Sequence, residues 1–162
     1  MVFPQIQNYF KAQIAANAAL ASLGGSISFN PTLDPEASAS LIASAIRTNG
    51  VCIEVGFPRI TNPTSALDGT TKADILTPVF VTESLTIAHS PALLWLVNEV
   101  VLACTARLDP TLNPARLEAA GSELLEQGVA LHSFFFSFPM NIKQSSSVAG
   151  KDFNSDFGLD FK

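Results

Sequence analysis

The sequence predicts an α+β fold: a single domain on a mostly antiparallel sheet with a long hairpin, packed by an N-terminal and a central helix. Three observations carry that expectation. Apolar residues recur at helical spacing near the start (Ile6, Phe10, Ile14) and again in SPALLWLVNEVVLA. The stretches 51–60, 74–87 and 129–142 alternate at period two, as half-buried strands do. A chain of 162 residues is also the usual size of one domain, long enough to bury roughly 70% of its unfolded surface without staples.

Taken in order, Pro4 can begin the first helix, which continues through Ala-rich turns to Leu20 and Leu23 and ends at Gly24-Gly25. A short strand, SISF (26–29), follows. Asp34-Pro35-Glu36 then supplies an N-cap carboxylate, a proline at the first helical position and an acid in the first turn. Leu41, Ile42, Ala45 and Ile46 form that helix's apolar face, and Gly50 closes it. In VCIEVGFPRI (51–60), Val51, Ile53, Val55 and Phe57 face one way, and Pro58 marks an edge or a strand end. TNPTSALDGTTK (61–72) reads as a turn-rich loop, with Asp68-Gly69 near its tip. In DILTPVFVTESLTI (74–87), Val79 and Val81 point one way and Leu76 and Phe80 the other, completing the hairpin.

The main helix starts at Ser90-Pro91, runs to about Arg107 and is apolar nearly all round, which requires burial on several sides. Asn113-Pro114 opens a shorter helical segment, ARLEAAGSELLEQG, weakened by Gly121. VALHSFFFSFPMNI (129–142) is the last strand. Its Ala130, His132, Phe134, Phe136, Phe138, Met140 and Ile142 share one face, opposite Leu131 and Phe135. The domain thus spans 1–143. QSSSVAG (144–150) reads as a flexible linker to a C-terminal docking arm, 151–162.

Composition narrows the function classes. Hydrophobic residues make up 48% and charged residues only 14%, against about 25% charged in ordinary soluble domains. The best apolar run, 91–108, is interrupted by Asn98 and Glu99 and is too short for a comfortable membrane crossing. The start lacks the basic and apolar regions of a secretory signal. An apolar, charge-poor chain without a membrane span points to a surface that faces other protein subunits. Net charge is −5 and the nine basic residues are scattered, so no dedicated nucleic-acid surface is expected. Cys52 and Cys104 lie in apolar runs and read as buried free thiols, with a disulfide between them as the alternative.

Catalytic chemistry finds little to work with. His89 lies beside a helix cap and His132 sits in the aromatic strand with no acid close in sequence; both read as structural. No Gly-x-Ser-x-Gly elbow exists, and Cys/His positions 52, 89, 104 and 132 lack the close pairs of zinc sites. Glu54 and Glu83, on neighbouring strands, read as solvent-side residues that could pair across the strands. Glu118, Glu123 and Glu126 read as a solvated face. Aromatic residues at strand spacing are core, and the competing reading is an apolar ligand pocket lined by phenylalanine. No catalytic residue, cofactor or metal is expected. An enzyme with an unfamiliar site would need His89 or His132 shifted in pKa within a cleft.

The arm KDFNSDFGLDFK repeats Asp-Phe, placing Phe153, Phe157 and Phe161 four residues apart and therefore on one face of either a helix or a strand. Regularly spaced phenylalanines gain from burial, so the arm is expected to dock on a surface. With Asp68 at the hairpin tip, these three residues are the expected interaction positions.

The order of elements resembles the tail-terminator (tail-completion) family of long-tailed bacteriophages over roughly residues 3–142. The resemblance rests on FPQIQNYFKAQI, IEVGFPRI, ILTPVFVTESLTI, SPALLWLVNEVVLA and VALHSFFFSF. It implies a virion assembly protein forming a ring, usually hexameric, that caps the tail tube and joins it to the head connector. The implied partners are copies of itself, tail tube protein and connector or adaptor proteins, in the virion and, during assembly, in host cytoplasm. A head–tail adaptor of similar role is the neighbouring alternative, and a soluble binding module with a Phe-lined pocket is the alternative from another class.

Overall fold

Helical spacing at the N-terminus is realised as α1 (Phe3–Ala16), whose Ile6, Phe10 and Ile14 are fully buried. The computed structural model describes residues 3–22, 35–65, 70–86, 93–106, 114–125 and 128–143. The expected strand 26–29, the linker 144–150 and the arm 151–162 lie outside them. Contrary to a single helix through Leu23, the chain breaks at Asn17, which is extended (φ −72°, ψ 113°). Its side-chain oxygen accepts from the N–H groups of Ala19 and Leu20 and so caps a second short helix, α2 (Ala18–Ala21). Leu20 remains in the core.

The next helix, α3 (Pro35–Asn49), matches its expected span and ends at Gly50, whose φ of 79° suits the residue after a helix. The Gly50 N–H closes the last turn onto the Ile46 carbonyl at 2.9 Å. Two strands then pair with one long partner. Strands β1 (Val51–Val55) and β2 (Arg59–Ser65) both run antiparallel to β3 (Thr70–Ser84). The expected loop is therefore mostly strand: cross-strand pairing overrides the turn propensity of TNPTS. The conflict is absorbed by a register shift between Thr61 and Thr64, where Asn62 takes a left-handed φ of 51°. Only the tip, with Asp68, lies outside the described residues.

The expected strand 51–60 is two strands, broken at 56–58 around Pro58, and Phe57 leaves the core face and stands 47% exposed. Pro78 sits in the middle of β3, where a missing N–H is normally costly. Its carbonyl accepts from the Gly56 N–H at 2.8 Å, so the absent donor falls at the gap between β1 and β2. The sheet tolerates the proline because its neighbour is interrupted there.

The central helix α4 (Leu93–Thr105) precedes β4 (Arg116–Leu124) and β5 (Val129–Lys143). The segment read as helical from Ala115 is thus an edge strand: β4 pairs antiparallel with β5 despite its good helix formers. The full order is β1-β3-β5-β4, with β2 also on β3. Strands β3 and β5 pair rung for rung over all fifteen residues, from Thr70↔Lys143 to Ser84↔Val129, a ladder roughly 50 Å long.

That register puts Ile75, Val79 and Val81 of β3 on the same face as Phe138, Phe134 and His132 of β5. Helices α1 and α4 cover this face. Phe10 packs on Phe136 and Phe138 with ring centroids 5.8 and 6.3 Å apart, and Val100, Ala103 and Cys104 of α4 complete the core. Polar side chains fix the helices in place. Gln13, buried in α1, donates to the Tyr9 hydroxyl and to the Ala106 carbonyl at the end of α4. Asn17 donates to Glu99 at 3.0 Å, and Gln7 reaches the Gly56 carbonyl at 3.2 Å. Leu102 on α4 is 52% exposed, so this helix leaves an apolar residue on the surface, as its all-round apolar sequence implies. No helix among the described residues is long and apolar enough to cross a membrane.

Candidate interaction site

The opposite face of the sheet is only partly covered. Leu76, Pro78 and Phe80 of β3 and Leu131 and Phe135 of β5 alternate onto it and are half-buried. Helix α3 lies over one end. Between this helix and the sheet is an open groove of about 700 Å³, lined by Ile42, Ala43, Ile46, Thr82, Val129 and Leu131 among others. The apolar face expected on α3 is therefore present, but it is not consumed by packing: Leu41 is 42% exposed, and Ile42 and Ile46 are only half-buried. Arg47 stands at the groove, exposed, and makes no ion pair among the described residues. An apolar slot with a cation at its rim suits an apolar group that carries a neighbouring acid.

Further apolar side chains stand out elsewhere. Leu124 at the end of β4 is 71% exposed and Leu85 is 52% exposed, and every residue of β4 is exposed. An exposed edge strand with outward leucines is a surface that another chain could cover. None of Asp68, Phe153, Phe157 and Phe161 is among the described residues. The groove, by contrast, can be traced in the sequence only as the apolar stripe of α3.

Ser122 on β4 pairs with His132 on β5, and its Oγ lies 2.7 Å from Nδ1. The other ring nitrogen, Nε2, stands 4.0 Å from Glu83 Oε2. These are the residue types of a serine–histidine–acid relay, but 4.0 Å is outside hydrogen-bond reach, so the acid does not orient the ring. Burial lowers the His132 pKa, partly opposed by the Glu83 carboxylate. The groove lies across the sheet, on the face opposite the histidine. Glu83 is 2% exposed and faces the core, against the solvent-side reading. It is opposite Val51, whereas Glu54 is opposite Phe80, so the two acids occupy different faces and do not pair. Glu118 and Glu123 are exposed as expected, and Glu118 accepts from the Ser137 hydroxyl. The aromatic strand is core rather than pocket, because Phe134 and Phe136 are buried beneath the helices. No group of three or more His, Cys, Asp or Glu gathers into metal-binding geometry among the described residues. Cys52 and Cys104 are buried and not joined in a disulfide, and burial pushes the Cys104 thiol up to about 12.

No family model matches the chain, and no curated protein sequence matches it. Its fold is similar to that of a chain in a solved structure described as the virion of the native gene transfer agent (GTA) particle. The TM-score is 0.59 at 16% identity, covering 84% of this chain and 94% of that one. The likeness concerns the fold, which is α+β with an antiparallel sheet of five strands.

Proposed function

We propose that this chain is a virion structural protein that forms a ring, hexameric in the family it resembles, capping a tail tube and joining it to the head connector. The observation that carries the reading is the fold likeness to a virion chain, because it spans most of both chains. The exposed apolar groove, the outward leucines of β4 and the low charge content support it, since each is a feature of a surface covered by other subunits. In a ring the contact is heterologous: one patch of each subunit meets a different patch of the next, and closure ends growth. The body of the sheet and α4 would form each subunit, while the hairpin tip with Asp68 and the arm with Phe153, Phe157 and Phe161 reach its neighbours. The role is mechanical rather than catalytic, acting through geometry and partner choice.

Light scattering across a concentration series, with and without tail tube protein, tests this. A discrete ring-sized species, or a monomer that assembles only with tube protein, is the expected result. A monomer indifferent to both concentration and tube protein would overturn the reading in favour of a soluble binding module.

A further inference from the structure

We propose that the groove between α3 and the sheet receives the C-terminal arm, residues 151–162, of a neighbouring copy of this chain. The inference rests on the reading that the chain assembles with itself, and it assigns the surface on which one subunit holds the next.

The chemistry of the two sides is complementary. The groove is lined by aliphatic and small side chains, with Arg47 at its rim. The arm offers a phenylalanine every fourth residue, each preceded by an aspartate: Asp152-Phe153, Asp156-Phe157 and Asp160-Phe161. A phenyl group that enters the slot removes apolar area from water, and its neighbouring carboxylate meets the guanidinium. Along α3, Ala39 to Ile46 covers roughly 10 Å, enough for one or two aromatic side chains.

Chain length favours a neighbour's arm over the chain's own. The groove lies at the start of β5, beside Val129 and Leu131, whereas the arm leaves from the far end of that strand after Lys143. Leu131 and Lys143 are twelve residues apart in an extended strand, roughly 40 Å. Phe153 follows Lys143 by ten residues, a reach of at most roughly 35 Å. It therefore falls short of its own groove, Phe157 would arrive only on a taut chain, and of the three only Phe161, eighteen residues past Lys143, spans the distance with slack. A neighbouring copy whose β5 ends near the groove delivers all three without that constraint. This is a head-to-tail contact between unlike patches, the kind that builds a closed ring.

The test uses two full-length variants that each add one cysteine, Ala43→Cys in the groove and Ser155→Cys between two arm phenylalanines. The native thiols do not interfere, because Cys52 and Cys104 are 2% and 0% exposed. Mixed and gently oxidised, the variants should give a disulfide-linked dimer about ten-fold above either alone, as effective concentration raises the local encounter. Adding Arg47→Glu, or Phe153→Ser with Phe157→Ser, should reduce that yield. A chain carrying both added cysteines should form a ladder of linked copies. If it instead closes within single chains, the arm folds back and the assignment to a neighbour fails. If light scattering on the same sample finds a ring but no mixed dimer forms, the groove assignment fails and the ring reading stands. A concentration-independent monomer without cross-links overturns both. A small apolar molecule held in the groove, seen by native mass spectrometry, would also overturn the proposal.

Discussion

His132 and Glu83 face each other across β3 and β5 without touching, Nε2 and Oε2 being 4.0 Å apart on the buried face of the sheet. The histidine donates to or accepts from Ser122 through Nδ1, while Nε2 has no hydrogen-bond partner among the described residues. Burial holds its pKa below the ordinary 6.5, although the carboxylate pulls the other way. Below about pH 6.5 the unfolded chain therefore binds the proton more readily than the folded one. Folding stability contributed by this group is present above that pH and is lost as pH falls toward the lower folded value. Thermal melts from about pH 7.5 to about pH 5.5 should show a steeper loss for the wild type than for His132→Gln. Equal slopes would mean that His132 does not set the acid sensitivity of the fold.

Gly56 offers a second test. A Cβ built on it would stand 2.7 Å from Pro78 Cγ and 3.1 Å from a ring carbon of Phe80. The proline ring cannot swing aside, and the Gly56 N–H already bonds the Pro78 carbonyl. Gly56→Ala should cost about 1–3 kcal/mol as an overpacking change. A neutral result in denaturant unfolding would mean that the junction of β1 and β2 yields more easily than this close approach implies.

Phe136 is fully buried and packs against both Phe10 and Phe134. Phe136→Ala should destabilise the domain by about 3–5 kcal/mol through lost burial and a residual cavity. Phe135, one residue away but on the half-covered face, should cost distinctly less. The contrast checks the register of the whole β3–β5 ladder. Comparable losses at both positions would mean that the second face is covered.

Thiol reactivity reports on the core. With Cys104 pushed up to about 12 and both cysteines buried, the native protein should react slowly with a thiol reagent and quickly when unfolded. Fast native labelling of two thiols would contradict the packing of α4 against the sheet.

Parts of this architecture are legible in the amino-acid sequence itself. The spans of α3 and β5, the core positions Ile6, Phe10 and Ile14, and the faces of β3 follow from periodicity, because one-sided burial imposes it. Helix α3 is further marked by proline at one end and Gly50 at the other. Strand β4 is not legible: ARLEAAGSEL is made of helix formers, and only pairing with β5 draws it into the sheet. The break at Asn17 is hidden too, because its cap competes with an Ala-rich run that would otherwise continue the helix. As for the site, the apolar stripe of α3 is visible, but whether packing consumes it depends on how far the helix stands from the sheet. That distance is a tertiary quantity. The burial of Glu83 is concealed for a related reason: alternation assigns a face, and a charged residue invites the wet one.

The fifteen-rung pairing of β3 with β5 has a mechanical consequence. Hydrogen bonds between antiparallel strands lie perpendicular to the chain direction. A pull on β3 at its Ser84 end against β5 at its Lys143 end therefore strains the rungs together in shear rather than peeling them one at a time. Along this axis the protein is a stiff tie-rod, able to carry tension over roughly 50 Å with little stretch.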